Sequence, residues 1–397
     1  MPTGPQELLL QLFLIFVSAK IAGELFERVS LPSVLGEIIA GALLGPYALG
    51  WITTSDTIHS VAELGAIFVL FSVGLETSPG ELIRTGRKSV AVALAGIIVP
   101  FIFGFAYMKL RGDASSEAVF VGAAMVATSV GITARVFADL RLLSTDTAKI
   151  ILGAAVFDDI FGMVLLALVG GLASGSVNWL HIGILTGEAT AFALFMIFLA
   201  PRIVRRIEPR VGQLSTQNAS LVVALAICLL LSWLSVKIGM AAIIGAFFAG
   251  LMFADYAPRW NLFPRVAGIT EFLAPFFFFE IGMRLNMSLL KGDILVTAIA
   301  ISLLAIASKL IGCGLPLIRQ GWRHMLQVGT GMMPRGEVAL IVALVGVQSG
   351  IVSQPTYAIV VVMTAITTIL APPCLRILFR KEIKHRRTEN VPEPVQL

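Results

Sequence analysis

Two adjacent carboxylates, Asp158 and Asp159, sit inside an otherwise apolar run from Ile150 to Leu172. The run is long enough to span a bilayer. Lys149 marks one end, and Asp159 lies ten residues further on. On a helix that is about 15 Å in, close to the middle of a hydrocarbon core about 30 Å thick. A charge there costs at least about 2.5 kcal/mol on insertion scales, and a like charge beside it adds repulsion. Packing does not account for such a pair. Carboxylate oxygens in a dry setting can bind and release protons or hard cations, so an ionisable functional site is expected here.

Other charges lie at similar depth. Lys309, in Ala305-Ile306-Ala307-Ser308-Lys309-Leu310, is too far from either end of its apolar run to snorkel. It needs a carboxylate partner, and Asp158 or Asp159 is the natural one. Such a pair could be a purely structural bridge, or a buried lysine able to give up its proton. Arg335 and Glu337 also fall at membrane depth, either locking helices in place or joining the site. Arg135 and Asp139, one helical turn apart, read as a structural pair. Glu37, Glu63, Glu76 and Glu271 lie nearer span ends and read as helix-end or funnel-lining residues. Glu280 follows four phenylalanines and has no account beyond a pairing with Arg284. The four histidines fall in loops or at helix ends, so none reads as a ligand or proton relay.

The elements that must position these groups follow from composition and hydropathy. The chain has 397 residues, 57% hydrophobic and 13% charged, with a mean hydropathy of +0.92; soluble domains carry about 25% charged residues. A polytopic, all-α membrane protein is expected. The net charge of +5 reads as loop asymmetry, not nucleic-acid binding. The three cysteines show no metal or redox spacing and read as small buried residues. The first apolar run lacks a basic leader and a small-residue cleavage site, so a retained helix is expected. Hydropathy and breakers predict thirteen spans near 7–28, 33–51, 59–78, 89–109, 118–140, 148–172, 180–201, 218–236, 239–255, 266–285, 293–316, 323–348 and 354–378. Arginine and lysine gather in alternate loops and in the tail after Phe379. This predicts an outside N-terminus, a cytoplasmic C-terminus and a basic tail near anionic lipid headgroups.

Internal similarity is present. Ser33-Val34-Leu35-Gly36 through Ala40-Gly41 resembles Ala242-Ile243-Ile244-Gly245 through Ala249-Gly250, 209 positions later; Glu63 through Leu75 resembles Glu271 through Met283, 208 later. Seven spans separate the copies, so they would lie in opposite orientations, the inverted repeat of secondary transporters. The seventh span would link two six-helix halves. At corresponding positions the fifth span carries Thr128-Ser129-Val130-Gly131-Ile132-Thr133 and the twelfth carries Met332-Met333-Pro334-Arg335-Gly336-Glu337. Both read as helix breaks whose freed carbonyls and hydroxyls can meet ions. A membrane aspartyl protease needs carboxylates converging from different segments, whereas neighbours on a helix diverge by about 100°. A channel needs a filter loop or charged ring, and none is recognisable.

Together, Leu31 through Pro46, Glu63 through Glu76, Ala127 through Val136, the Asp158-Asp159 pair, Lys309 and Pro334-Arg335-Gly336-Glu337 resemble the cation:proton antiporter superfamily. The likeness is to its monovalent cation:proton antiporter 2 type, in particular the bacterial NapA-type sodium/proton antiporters. The resemblance implies the NhaA/NapA-like antiporter fold: thirteen helices, two of them unwound and crossing, and elevator alternating access. It implies a dimerisation domain over residues 1–88 and 218–290 and an ion-transport core over 89–173 and 291–379. The linker helix falls in 174–217 and the basic tail in 380–397. A homodimer through the first and eighth spans, in the plasma (inner) membrane, is implied. Asp159 would be the ion ligand and Asp158 the partner of Lys309, with Thr128 and Ser129 at the unwound crossing and Glu337 and Arg335 as supporting core charges. The Asp-Asp-Lys set resembles the electrogenic type, exchanging Na⁺, and also Li⁺, for two protons; K⁺/H⁺ exchange is the alternative. No resident cofactor is implied. The chain stops at Leu397 without a Gly-x-Gly-x-x-Gly after a strand, so nucleotide regulation is not expected.

Overall fold

The computed structural model describes residues 5–29, 31–77, 79–173, 179–211, 218–284, 292–348 and 350–383, and among them there are helices and no strands. The first four expected stretches correspond to α1 (Pro5–Arg28), α2 (Ser33–Leu44), α3 (Asp56–Leu75) and α4 (Pro79–Arg111). The fifth is two helices, α5 (Ser115–Ala124) and α6 (Val130–Asp139), and the sixth is α7 (Asp146–Ala173). The seventh holds α8 (Trp179–Leu194), one π-helical turn (Phe195–Leu199) and α9 (Ala200–Val211). Then follow α10 (Ala219–Lys237), α11 (Ala242–Phe253), α12 (Leu262–Met283) and α13 (Asp293–Gly314). The twelfth stretch is again two helices, α14 (Trp322–Gly331) and α15 (Glu337–Gln348), and the last is α16 (Gln354–Leu378). Among the described residues, 8 helices are long and apolar enough to cross a membrane. The chain is a multi-pass membrane protein.

Several boundaries differ from the hydropathy reading, for local reasons. α2 and α11 have 12 residues each, about 18 Å of helix and short of a full crossing. α2 stops at Gly45, ahead of Pro46, because a residue before proline avoids helical backbone. α11 begins only after Gly239, whose φ of 82° is open to glycine and costly for other residues. α4 starts ten residues before its apolar stretch, so Arg84, Arg87 and Lys88 are helical. α9 likewise carries helix past residue 201, with Arg202, Arg205 and Arg206 exposed. Of the basic tail, Lys384, Arg386 and Arg387 lie outside the described residues.

Backbone contacts repeat across the two halves. A side chain at Gly36 would strike the Ala22 carbonyl of α1, and one at Gly245 the Leu231 carbonyl of α10. A side chain at Gly41 would strike the Phe279 carbonyl of α12, and one at Gly250 the Phe71 carbonyl of α3. Gly282 lies on the Ile38 carbonyl and Gly74 on that of Phe247. Every residue in these contacts has its counterpart 208 or 209 positions away. Thus α2 packs on α12 as α11 packs on α3, and α1 packs on α2 as α10 packs on α11. The six glycines allow backbones to touch where lipid supplies no hydrophobic drive for helix association.

The remaining helices pack mostly among themselves: α4 on α5, α7 and α13, and α13 on α14 and α16. The two groups meet where α3 touches α6, where α2 touches α6 and α16, where α11 touches α9 and the π-helical turn, and where α10 touches α9.

Candidate functional site

The site is built on two breaks that bond to each other. Residues 125–129 separate α5 from α6, and residues 332–336 separate α14 from α15. Pro334 explains the second break, since it lacks an N–H and disfavours helix at the residue before it. The first break begins upstream of the expected segment and overlaps it at Thr128 and Ser129: Gly131 and Thr133 are helical, and the non-helical residues run from Met125 to Ser129. Thr133 is a helical residue serving the opposite break, where its hydroxyl donates to the Gly331 carbonyl at 2.7 Å. The Ser129 N–H donates to the Pro334 carbonyl at 2.8 Å, and the Thr128 hydroxyl donates to the Met332 carbonyl at 3.4 Å. Gly336 is pressed against Ser129, whose Oγ would lie 2.8 Å from a Cβ placed there.

Arg335 holds the crossing together. Its side chain is 0% exposed. Nε and Nη2 donate to the Met125 carbonyl at 3.2 and 2.7 Å, Nη1 to the Met333 carbonyl at 2.7 Å, and Nη2 also to the Ala305 carbonyl of α13 at 3.2 Å. One guanidinium therefore serves carbonyls at both breaks and on a third helix. Five donors in a planar fork make this possible, where a lysine would offer a single point charge. The Thr368 hydroxyl of α16 donates back to the Arg335 carbonyl at 2.6 Å. These hydrogen bonds to Met125, Met333 and Ala305 are the geometry that the helix-locking alternative calls for. Glu337 opens α15, but its side chain lies outside the described part of the chain.

The two aspartates diverge, as neighbours on a helix must. Asp158 turns to α13, where its Oδ2 lies 3.7 Å from Nζ of Lys309, with side chains 2% and 0% exposed. That separation is an ion pair longer than a hydrogen bond. α4 passes close by: a Cβ on Gly96 would come within 3.6 Å of Lys309 Nζ. Asp159 is half-buried on another face of α7. It lines a small cavity of about 10 Å³ with Leu70 of α3, Val130 at the start of α6, Leu152 and Val156, and Ile243, Ile244 and Phe247 of α11. Asp158 is thus enclosed among α7 and α13, while Asp159 faces the seam between the two packing groups, beside the first break.

Three further expectations meet the geometry. Arg135 and Asp139 pair at 3.0 Å, and Ser33 of α2 donates to Asp139 at 3.2 Å. Glu280 accepts from Arg284 at 2.8 Å. It also meets Nδ1 of His59 at 2.9 Å, a contact between α12 and α3 on which the sequence reading was silent. Residues 221 positions apart give no local signal of such pairing.

Helices broken at membrane depth, bonded break to break beside buried charges, are the architecture of secondary transporters. The chain belongs to the sodium/hydrogen exchanger transmembrane family, whose profile matches residues 13–381. It is 34% identical over 429 residues to the high-affinity Na⁺/H⁺ antiporter NhaS3 of Synechocystis, covering 97% of this chain and 93% of that protein. It is 35% identical over 380 residues to the Na⁺/H⁺-K⁺ antiporter GerN of Bacillus cereus, covering 94% of this chain and 96% of that protein. The structure of the sodium proton antiporter MjNhaP1 from Methanocaldococcus jannaschii superimposes with a TM-score of 0.69 at 18% identity, covering 96% of this chain and 99% of that one. That likeness is one of fold.

Proposed function

We propose that this protein is a secondary antiporter exchanging a monovalent cation, Na⁺ and also Li⁺, for protons across the inner membrane. The observation that carries the reading is the division of the aspartates: Asp158 is enclosed with Lys309, and Asp159 faces the seam beside the broken helices. In this reading Asp159 binds the cation, with Thr128 and Ser129 contributing oxygen near it. Oxygen ligands suit a hard cation. Protons and the cation compete for the same carboxylate, which gives exchange without a separate coupling device. Lys309 releases its proton when Asp158 turns to the ion, so two protons move per Na⁺. One net charge then crosses per cycle, driven by about 2.3 kcal/mol per 100 mV.

The architecture in this proposal has thirteen crossings, with α5/α6 and α14/α15 each counted as one broken crossing. The repeated glycine contacts support two copies inserted in opposite orientations. Residues 1–88 and 218–290 form the fixed dimerisation domain, with homodimer contacts through α1 and α10. Residues 89–173 and 291–379 form the core that slides as an elevator, and residues 174–217 link the halves. The N-terminus lies outside and the basic C-terminal segment is cytoplasmic. K⁺/H⁺ exchange is the second reading, favoured by the relative named as a Na⁺/H⁺-K⁺ antiporter.

The test is exchange in proteoliposomes with Na⁺, Li⁺ and K⁺ over a neutral-to-alkaline pH series. Wild type should acidify or alkalinise the lumen in a cation-dependent way, and Asp159→Asn should abolish this. Retained exchange in that variant would remove Asp159 from the site. K⁺ activity matching that of Na⁺ would favour the second reading.

A further inference from the structure

The end where α2 begins and α6 ends carries a polar contact between the two packing groups. α2 contributes Ser33 and, one turn on, Glu37; α6 contributes Arg135 and, one turn on, Asp139. The Ser33 hydroxyl donates to Oδ2 of Asp139 at 3.2 Å, and Oδ1 of the same carboxylate lies 3.0 Å from Nε of Arg135. Arg135 thus steadies the acceptor that Ser33 grips. Glu37 is 1% exposed, and its Oε2 has no hydrogen-bond partner. The charges that bear on it are Arg135 and Asp139 of α6 and Lys20 and Glu27 of α1.

The second half of the chain has no such pattern. α11 is the counterpart of α2, 209 positions later, and α15 follows the second break as α6 follows the first. Ser33 and Glu37 correspond to Ala242 and Ala246. α11 contains no polar side chain, and neither do residues 338–347 of α15, so the difference holds for any close alignment of α15 with α6. Where the first half has a polar contact, the second has a cavity of about 380 Å³, lined by Ala242 and Ile243 of α11 and Leu340 of α15. The glycine contacts match between the halves residue by residue. The α2–α6 contact breaks that match.

We infer that the Ser33–Asp139 contact is a one-sided latch, which holds the sliding core against the fixed domain in the state seen here and biases the transport cycle towards it. This rests on the proposed antiport by a sliding core. Repeats of opposite orientation exchange roles as access alternates, so α2 parts from α6 when α11 closes on α15. Two apolar faces then meet, with packing alone to hold them. Ser33 and Asp139 lose each other and gain water. The same water satisfies Oε2 of Glu37, an oxygen that is costly to leave unpartnered in the closed contact, and this keeps the latch reversible. A hydrogen bond to a charged acceptor is stronger than a neutral one. No equivalent bond forms in the opposite state, so the balance between the two states carries its full effect.

The test is side-specific kinetics in proteoliposomes of known orientation, with Ser33→Ala, Asp139→Asn and the double variant. Ser33→Ala should raise the apparent KM for Na⁺ severalfold on the face where α11 and α15 stand apart, and lower it on the opposite face, because fewer molecules then rest in the state seen here. Asp139→Asn should move the ratio of the two KM values in the same direction. The double variant should shift that ratio by less than the product of the single shifts, as partners in one contact do. An unchanged ratio in Ser33→Ala, or KM values that rise or fall together on both faces, would overturn the latch. A lower Tm with the ratio unchanged would assign the contact to stability alone and likewise reject it. Single shifts that multiply would mean that Ser33 and Asp139 act apart, against the inference. Retained exchange in Asp159→Asn bears on the binding site alone, and absence of exchange in wild type would reject the antiport itself.

Discussion

The backbone N–H of Ser129 donates to the carbonyl of Pro334 across 2.8 Å, joining the two interrupted helices by main chain alone. Around that bond, Thr128 and Thr133 donate to carbonyls of the second break and Arg335 to a carbonyl of the first. Backbone freed from helix in a membrane must find partners inside the protein. Here each break supplies some of them for the other, by main chain and by side chain.

Arg335→Ala should lower stability more than it alters cation affinity. It removes 4 hydrogen bonds and strips donors from buried carbonyls at a cost of about 1–3 kcal/mol each, partly offset by no longer burying a charge. A net loss on the order of 3 kcal/mol is expected. A thermal ramp monitored by size-exclusion fluorescence should show lower folded yield and Tm. Arg335→Lys should recover only part of this. A normal Tm with weakened cation binding would instead move Arg335 into the ion site.

The Asp158–Lys309 pair should couple in a double-mutant cycle. Either Asp158→Asn or Lys309→Met leaves a buried charge without its partner, at about 3–5 kcal/mol. Removing both should cost clearly less than the sum. Additive losses in Tm would mean that the 3.7 Å contact contributes nothing.

Lys309→Gln should separate transport from voltage. Exchange should persist while transient currents on solid-supported membranes shrink or vanish, because one proton fewer would move per cycle. Unchanged currents would reject Lys309 as a proton carrier.

The paired glycines should be intolerant in matched fashion. Gly41→Ala and Gly250→Ala each drive a methyl into a facing carbonyl, forcing the helices apart, and both should reduce folded yield strongly. Gly268→Ala on α12 meets nothing within 4 Å and should be neutral or slightly stabilising, as alanine is the better helix former by about 1 kcal/mol. Equal tolerance at all three would show that close backbone approach is not what these glycines provide.

Much of this was legible in the sequence because lipid imposes simple rules. Apolar run length gives spans, an ionisable residue at depth marks a site, and a repeated glycine pattern marks duplicated packing. The breaks were legible to within a few residues: Pro334 announces the second, and the first does include Thr128 and Ser129 but starts earlier, at Met125, and ends before Val130, because Thr128 through Thr133 share the composition of a break. Thr133 is helical, and only its distant acceptor reveals what its hydroxyl does. His59, read only as a loop or helix-end residue that is neither ligand nor proton relay, has its partner Glu280 on another helix.

The sequence by itself showed two carboxylates and a lysine deep within long apolar runs of a helical chain, and a glycine pattern that recurs 208 or 209 positions later. It left open which carboxylate meets the lysine, because spacing along a helix fixes only that Asp158 and Asp159 point apart. Tertiary structure decided that, by the rotation of α7, which turns Asp158 to Lys309 of α13 and Asp159 to α3 and α11. It likewise decided Arg335, whose acceptors Met125 and Ala305 are 210 and 30 residues distant. Burial costs can be read locally, but the groups that offset them come from wherever the chain folds back.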